Sequence, residues 1–303
     1  MIIDSLVLVL SILMLWFGAK YLVDSASRIA GTLGLSNLVI GLTVVAFGTS
    51  APEFAVTIGA ALKGKPDISV SNIVGSNIFN VGFILGAVAI VKTIQTSRKL
   101  VYRDGLFMIG ITFLLLFFFH NLLLTKVEGI VLISLLLAYL LFLFFKKEAL
   151  EEEDIILERA TWKDFLIFPL SIASIVGGGN FLVNSAADIA RVLGISEWVI
   201  GITIVAAGTS APEMATSLAA VLKEKHGISA GNLIGSNLFN ILGVLGLAGI
   251  FNPLTIDPQG LGSIAMLSGM MILVIIFLRT GWRLSRTEGI ILATIGIIII
   301  ILS

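Results

Sequence analysis

The sequence predicts an all-α polytopic membrane protein, with ten transmembrane helices arranged as two five-helix repeats of inverted topology. Three observations predict it. Of the 303 residues, 57% are hydrophobic and 13% charged, with a mean hydropathy of +1.09; a soluble domain carries about a quarter charged residues. The charges gather in short clusters between apolar runs, and about 20 helical residues suffice to cross the hydrocarbon core. The chain also repeats itself at one constant offset. GLTVVAFGTSAPE at 41–53 matches GITIVAAGTSAPE at 201–213, and NIVGSNIFN at 72–80 matches NLIGSNLFN at 232–240, each 160 residues later.

The crossings are expected near residues 5–22, 37–62, 69–91, 104–123, 127–145, 164–182, 197–222, 229–251, 262–279 and 287–302. Met1 leads almost directly into the first, without a basic leader region or a convincing cleavage site, so that stretch reads as a helix that stays. Ser36 and Ser196 are expected N-caps of the second and seventh crossings. The one substantial hydrophilic stretch, 146–163, divides a first half (1–145) from a second (164–303). Its Glu151, Glu152, Glu153 and Asp154 read as solvated charges of a linker rather than a regulatory Ca²⁺ site, and the stretch is too short to fold alone.

The repeat extends beyond the two motifs. LVDSASRIA at 22–30 matches LVNSAADIA at 182–190, and KVEGIVL at 126–132 matches RTEGIIL at 286–292. Shared hydrophobicity can reproduce Leu, Ile and Val, but not Gly, Thr, Ser, Pro, Glu and Asn in register. Five crossings per half, an odd number, make the repeat inverted. Alternating the loops between two sides puts 15 of the 19 Lys and Arg on the linker's side and leaves only Lys63, Lys65, Lys126 and Arg191 opposite. That bias makes the linker cytoplasmic and both termini extracellular in a multi-pass plasma-membrane protein. The Lys63/Lys65 loop is an exception to charge exchange between halves, since its counterpart carries Lys223 and Lys225.

Several functional classes drop out. Zero net charge gives no argument for a nucleic-acid partner, and the absence of cysteine removes disulfides, thiolate metal sites and cysteine nucleophiles. There is no Walker A, HExxH or GxSxG sequence, so neither ATP-driven pumping nor hydrolysis finds support. No cofactor and no obligatory protein partner is expected. The composition by itself makes the lipid bilayer the expected partner.

An ionised carboxylate inside a membrane is costly and is a functional candidate by default. Glu53 and Glu213 sit within apolar crossings, with no basic residue at comparable depth. Ala46, Thr49, Ser50 and Glu53 follow i, i+3, i+4, i+7 spacing, one stripe of a helix, and Ala206, Thr209, Ser210 and Glu213 repeat it. Pro52 and Pro212 lack the N–H that would bond the carbonyls of Gly48 and Gly208, so each is expected to kink its helix and free a carbonyl. A packing kink with no ion is the plainer alternative. Ser76 and Asn80, on a face shared with Ser69 and Asn72, supply an opposite wall, as do Ser236 and Asn240 with Ser229 and Asn232. Small-residue helix packing accounts for Gly75 and Gly235, but poorly for buried asparagines. Carboxylates, hydroxyls, amide oxygens and carbonyls together favour hard cations, and two carboxylates match one Ca²⁺. His120 and His226 fall in expected loops and read as solvated.

These paired motifs, GTSAPE at 48–53 and 208–213 with GSNIFN at 75–80 and GSNLFN at 235–240, resemble the alpha-repeats of the sodium/calcium exchanger family, prokaryotic branch, within the Ca²⁺/cation antiporters. The resemblance covers essentially the whole chain. It implies alternating access, with Ca²⁺ between Glu53 and Glu213 assisted by Thr49 and Thr209. It further implies that Asn80 and Asn240 belong to the ligand set, and that the flanking Ser50, Ser76, Ser210 and Ser236 with the Ala46 and Ala206 carbonyls favour Na⁺. Electrogenic transport and sliding of the first and sixth helices against the rest are also implied. Position 240 is aspartate in potassium-dependent relatives and in some archaeal members, and Asn240 here; by similarity, the neutral amide implies that K⁺ is not required. The proton-coupled branch usually carries GNxxE where this chain has GTSAPE, but H⁺/Ca²⁺ antiport stays open as the nearest alternative. A cation channel and an intramembrane enzyme fit less well: ligands centred between inverted repeats suit alternating access, and nothing is placed to activate a serine.

Overall fold

The computed structural model describes residues 2–146, 159–194 and 206–302. It is helical apart from four two-residue strands. The helices are α1 (Ile2–Leu33), α2 (Asn37–Thr49), α3 (Ala51–Leu62), α4 (Pro66–Val91), α5 (Leu100–Asn121), α6 (Lys126–Phe145), α7 (Trp162–Val192), α8 (Ala206–Thr209), α9 (Ala211–Leu222), α10 (His226–Phe251), α11 (Pro258–Arg279) and α12 (Arg286–Leu302). Among the described residues, seven helices are long and apolar enough to cross a membrane, and eight if the bent pair α2–α3 is one span. The chain is a multi-pass membrane protein. Ser196, Glu151, Glu152, Glu153, Asp154 and the start of the expected seventh crossing lie outside the described residues.

Two helices exceed their expected lengths. α1 has 32 residues and α7 has 31, where apolar windows suggested 5–22 and 164–182. Polar residues ended those windows, yet they find partners without ending the helix. Ser25 donates its hydroxyl back to the Tyr21 carbonyl at 2.7 Å, Arg28 pairs with Asp164 at the start of α7, and Asp24 pairs with Lys223 beyond α9. α1 and α7 lie against each other through small residues at equivalent positions. A Cβ on Gly18 would come within 3.2 Å of the Ser171 carbonyl oxygen, and one on Gly178 within 3.1 Å of the Ser11 carbonyl oxygen.

The second crossing is capped as expected: Ser36 Oγ accepts the Val39 N–H at 3.2 Å. It is not one kinked helix, however. α2 ends at Thr49, Ser50 takes φ −78°, ψ 9°, and α3 departs at 51° to α2. Pro52 falls in the first turn of α3, where its missing N–H costs nothing and its fixed φ suits a helix start. The second half repeats this, with Ser210 at φ −92°, ψ 9° and Pro212 in the first turn of α9.

α4 and α10 form the centre: 72% and 78% of their apolar windows are buried, against 28% for α6 and α7. α10 presents Gly227, Gly231 and Gly235 to α2, close enough that Cβ atoms would meet Leu38 and Leu42 backbone atoms at 2.6–2.9 Å. β1 (Ile94–Gln95) pairs antiparallel with β4 (Arg283–Leu284), and β2 (Leu123–Leu124) with β3 (Leu254–Thr255). Each ladder joins a loop of one half to a loop of the other, and α5 separates β1 from β2. Glycine contacts obey the same exchange. Gly86 meets Gly289, whose carbonyl oxygen would lie 2.6 Å from a Gly86 Cβ; Gly246 and Gly129, their equivalents, meet in the same way.

A side chain at these contacts must separate two backbones, and overpacking typically costs about 1–3 kcal/mol. Gly86→Val is therefore expected to lower the thermal unfolding midpoint in detergent. Gly110→Ala, at a glycine with open space around it, is expected to leave it unchanged or raise it slightly.

Candidate cation site

Both helix breaks deliver a glutamate to the first turn of a half-helix, Glu53 on α3 and Glu213 on α9. Unpaired N–H groups make a helix start favourable to negative charge. Both residues are fully buried. The serines at the breaks cross between halves: Ser50 Oγ donates to Glu213 Oε1 at 3.1 Å, and Ser210 Oγ donates to Glu53 Oε1 at 3.0 Å. The two carboxylates thus belong to one site. Among the described residues no Lys or Arg pairs with either; Lys92 pairs with Glu224, Lys223 with Asp24, Arg28 with Asp164 and Arg103 with Asp104.

Each carboxylate keeps one buried oxygen without a hydrogen-bond donor, Oε2 in both cases. The side-chain oxygens of Asn80 and Asn240 are equally buried and equally unpartnered. Buried polar groups are almost always hydrogen-bonded, so four unmatched acceptors in two equivalent pairs need an explanation. Four oxygens without donors suit a cation.

The remaining expected residues divide. Thr49 is buried; its hydroxyl donates to Asn232 Oδ1 at 3.0 Å and lies 3.3 Å from Ser236 Oγ. The Ala46 carbonyl accepts from the Ser50 N–H at 3.0 Å and from Thr49 Oγ1 at 3.3 Å. Thr209 and Ala206 lie on α8, and Ser76 and Ser236 are buried on α4 and α10. Asn72 and Asn232 serve the scaffold, donating to Thr57 Oγ1 at 2.9 Å and Ser217 Oγ at 3.0 Å, which ties α4 to α3 and α10 to α9. His226 is buried at the start of α10, not solvated: its Nδ1 accepts the Gln95 N–H at 3.4 Å.

Two residues of the site are absent from the expected set. Asn77 and Asn237, fully buried, join the halves: Asn240 Nδ2 donates to Asn77 Oδ1 at 2.9 Å, and Asn80 Nδ2 donates to Asn237 Oδ1 at 3.2 Å. They lie off the face shared by Asn72, Ser76 and Asn80. Their signal was the duplicated GSN of both motifs.

Buried carboxylates in a bundle of apolar helices, each half supplying one, define a membrane transport protein. The model of the sodium/calcium exchanger protein family matches residues 4–145 and 163–303. The chain belongs to that family, which is one of transporters and not of enzymes. It is 34% identical to the sodium/calcium exchanger MaX1 of Methanosarcina acetivorans over 333 residues, covering 96% of this chain and 95% of that protein. It is likewise 34% identical to the inner membrane protein YrbG of Escherichia coli over 300 residues, covering 95% and 92%. Its fold matches the sodium-calcium exchanger NCX_Mj soaked with 2.5 mM Na⁺ and 10 mM Sr²⁺, with a TM-score of 0.88 and 31% identity over 99% of this chain and 98% of that one.

The crossed serine bonds predict a graded effect. Ser50→Ala or Ser210→Ala removes one donor from one carboxylate oxygen and leaves both charges in place. Each is expected to shift the Ca²⁺ concentration for half-maximal binding, measured by equilibrium binding to purified protein, by about tenfold or less, in keeping with a charge-assisted hydrogen bond. The two effects should be alike in size.

Proposed function

We propose that the protein is a secondary antiporter that exchanges Na⁺ for Ca²⁺ by alternating access. Its central ion lies between Glu53 and Glu213. The observation that carries this is the set of four buried oxygens without donors, Oε2 of Glu53 and Glu213 and Oδ1 of Asn80 and Asn240. Two carboxylates offset the charge of one Ca²⁺, and the all-oxygen surroundings suit Ca²⁺ or Na⁺ rather than a softer metal. Thr49 and Thr209 complete the Ca²⁺ site. Ser50, Ser210, Ser76, Ser236 and the Ala46 and Ala206 carbonyls serve Na⁺ when it displaces Ca²⁺. Excess Na⁺ charge makes the cycle electrogenic, and with Asn240 neutral there is no third carboxylate to hold K⁺.

The arrangement behind this is ten crossings in two inverted halves, 1–145 and 164–303. The strand pairing supports it. β1 and β3 are equivalent at the offset of 160, yet β3 pairs with β2, across α5 from β1. Equivalent loops therefore fall at opposite ends of the bundle. Ion pairing supports the assignment of sides: Asp24 with Lys223, Lys92 with Glu224, and Arg28 with Asp164 each join groups on the side assigned to the cytoplasm. That leaves the 146–163 linker cytoplasmic and both termini outside the plasma membrane. The α1–α7 pair, held internally by small residues and by Arg28–Asp164, is the unit that slides against the core.

In proteoliposomes, an outward Na⁺ gradient at clamped pH is expected to drive radiolabelled Ca²⁺ uptake with net charge movement, with or without K⁺. Glu53→Gln or Glu213→Gln should abolish it. Robust uptake by Glu213→Gln would remove the assignment. Uptake driven by a pH gradient alone in sodium-free buffer would replace Na⁺ with H⁺ as the counter-ion.

A further inference from the structure

Asn80 and Asn240, whose side-chain oxygens are buried without donors, are themselves held by two other asparagines. An amide turned end over end presents a carbonyl oxygen one way and an NH₂ group the other, in nearly the same volume. A cation attracts the first and repels the second. At Asn240 the choice is made by Asn77, whose Oδ1 accepts the Asn240 amide at 2.9 Å and leaves Asn240 Oδ1 buried without a donor. At Asn80 it is made by Asn237, whose Oδ1 accepts the Asn80 amide at 3.2 Å and leaves Asn80 Oδ1 in the same condition. Each holding residue stands three positions before the equivalent of the residue it holds, on the opposite half. Asn77 is fixed in turn, because its Nδ2 donates to the Asn237 backbone carbonyl at 3.2 Å. Asn237 Nδ2 has no acceptor, so Asn237 is the less firmly held of the two.

We propose that Asn77 and Asn237 are positioning residues for transport: they do not touch the ion, but orient the Asn240 and Asn80 amides so that oxygen rather than nitrogen faces it. The inference rests on the reading of Glu53 and Glu213 as the cation site. It makes ion affinity in each half depend on a residue of the other. It also ties the neutral residue at 240 to its neighbour, since a carboxylate there has two acceptor oxygens and needs no orienting donor–acceptor pair.

The test is a double-mutant cycle read as the KM for Ca²⁺ in Na⁺-driven uptake. Asn77→Leu removes the acceptor at similar volume and is expected to raise the Ca²⁺ KM about tenfold, the cost of replacing one attracting oxygen by a repelling donor. Asn237→Leu should act in the same direction but less. In the Asn240→Asp background, Asn77→Leu should change KM less than about twofold, because a carboxylate presents oxygen either way. Unchanged KM in both leucine variants overturns the proposal, and so does an equal rise in both backgrounds, which would mean a packing defect alone. If the leucine variants do not fold, side-chain amide NMR of the wild-type protein decides. The Asn80 and Asn240 NH₂ protons, assigned by their loss in the aspartate variants, should exchange slowly and persist when Ca²⁺ is added; rapid exchange overturns the proposal. Failure of the underlying site reading looks different. Uptake that survives Glu213→Gln removes both, whereas uptake abolished by Glu213→Gln with insensitive leucine variants removes only the positioning role.

Discussion

Two carboxylates share a water-poor space in this bundle, and no basic side chain among the described residues answers them. Transferring an ionised carboxylate from water into such surroundings costs several kcal/mol unless it is matched. The fold supplies partial answers. Each glutamate begins a half-helix, and each has one oxygen bonded by the serine at the opposite break. The other oxygen of each is left over, as are the oxygens of two asparagines. A protein that meant only to bury these groups would close that set with donors. Four acceptors without donors make this set complementary to a positive charge.

The rest of the packing keeps the site composed of two halves while holding them in register. Glycine pairs let α4 approach α12, and α6 approach α10, at backbone contact. Two short ladders lock loops of one half to loops of the other. Asn72 and Asn232 brace each half-helix carrying a glutamate against the helix carrying the asparagines. The α1–α7 pair stands outside this frame. Its internal contacts are intimate, while one of its ties to the core, Asp24 with Lys223, is a partly exposed ion pair of the kind worth little on its own. A two-helix unit held together internally by close backbone contact is suited to move as a body in the proposed cycle.

Much of this was legible in the residues, because duplication prints each position of the candidate site twice. The glutamates, their serines and the asparagines at 80 and 240 all followed from offset and spacing. What misled was local. Hydropathy windows stop at polar residues, whereas α1 continues through Asp24, Ser25 and Arg28 because those groups bond to the Tyr21 carbonyl, to Lys223 and to Asp164 of α7. Proline rules indicated kinks inside long helices, whereas the chain stops at Ser50 and restarts, which moves Pro52 from an interior position to a tolerated first turn. A helical-face argument grouped Asn72 with Asn80, although Asn72 braces α3, and it passed over Asn77, which faces the other half. A pairing between halves follows from tertiary approach, which periodicity along one helix does not encode.

The central claim is that a divalent cation completes the two carboxylates. Anomalous diffraction from crystals soaked in Sr²⁺, a heavier stand-in for Ca²⁺, tests it without reference to transport. The account predicts a single strong peak in direct contact with one oxygen from each of Glu53 and Glu213, at slightly more than the about 2.3–2.6 Å of a Ca²⁺–oxygen bond. A protein whose glutamates lie apart, or pair with a lysine or arginine while Sr²⁺ binds elsewhere, would contradict it.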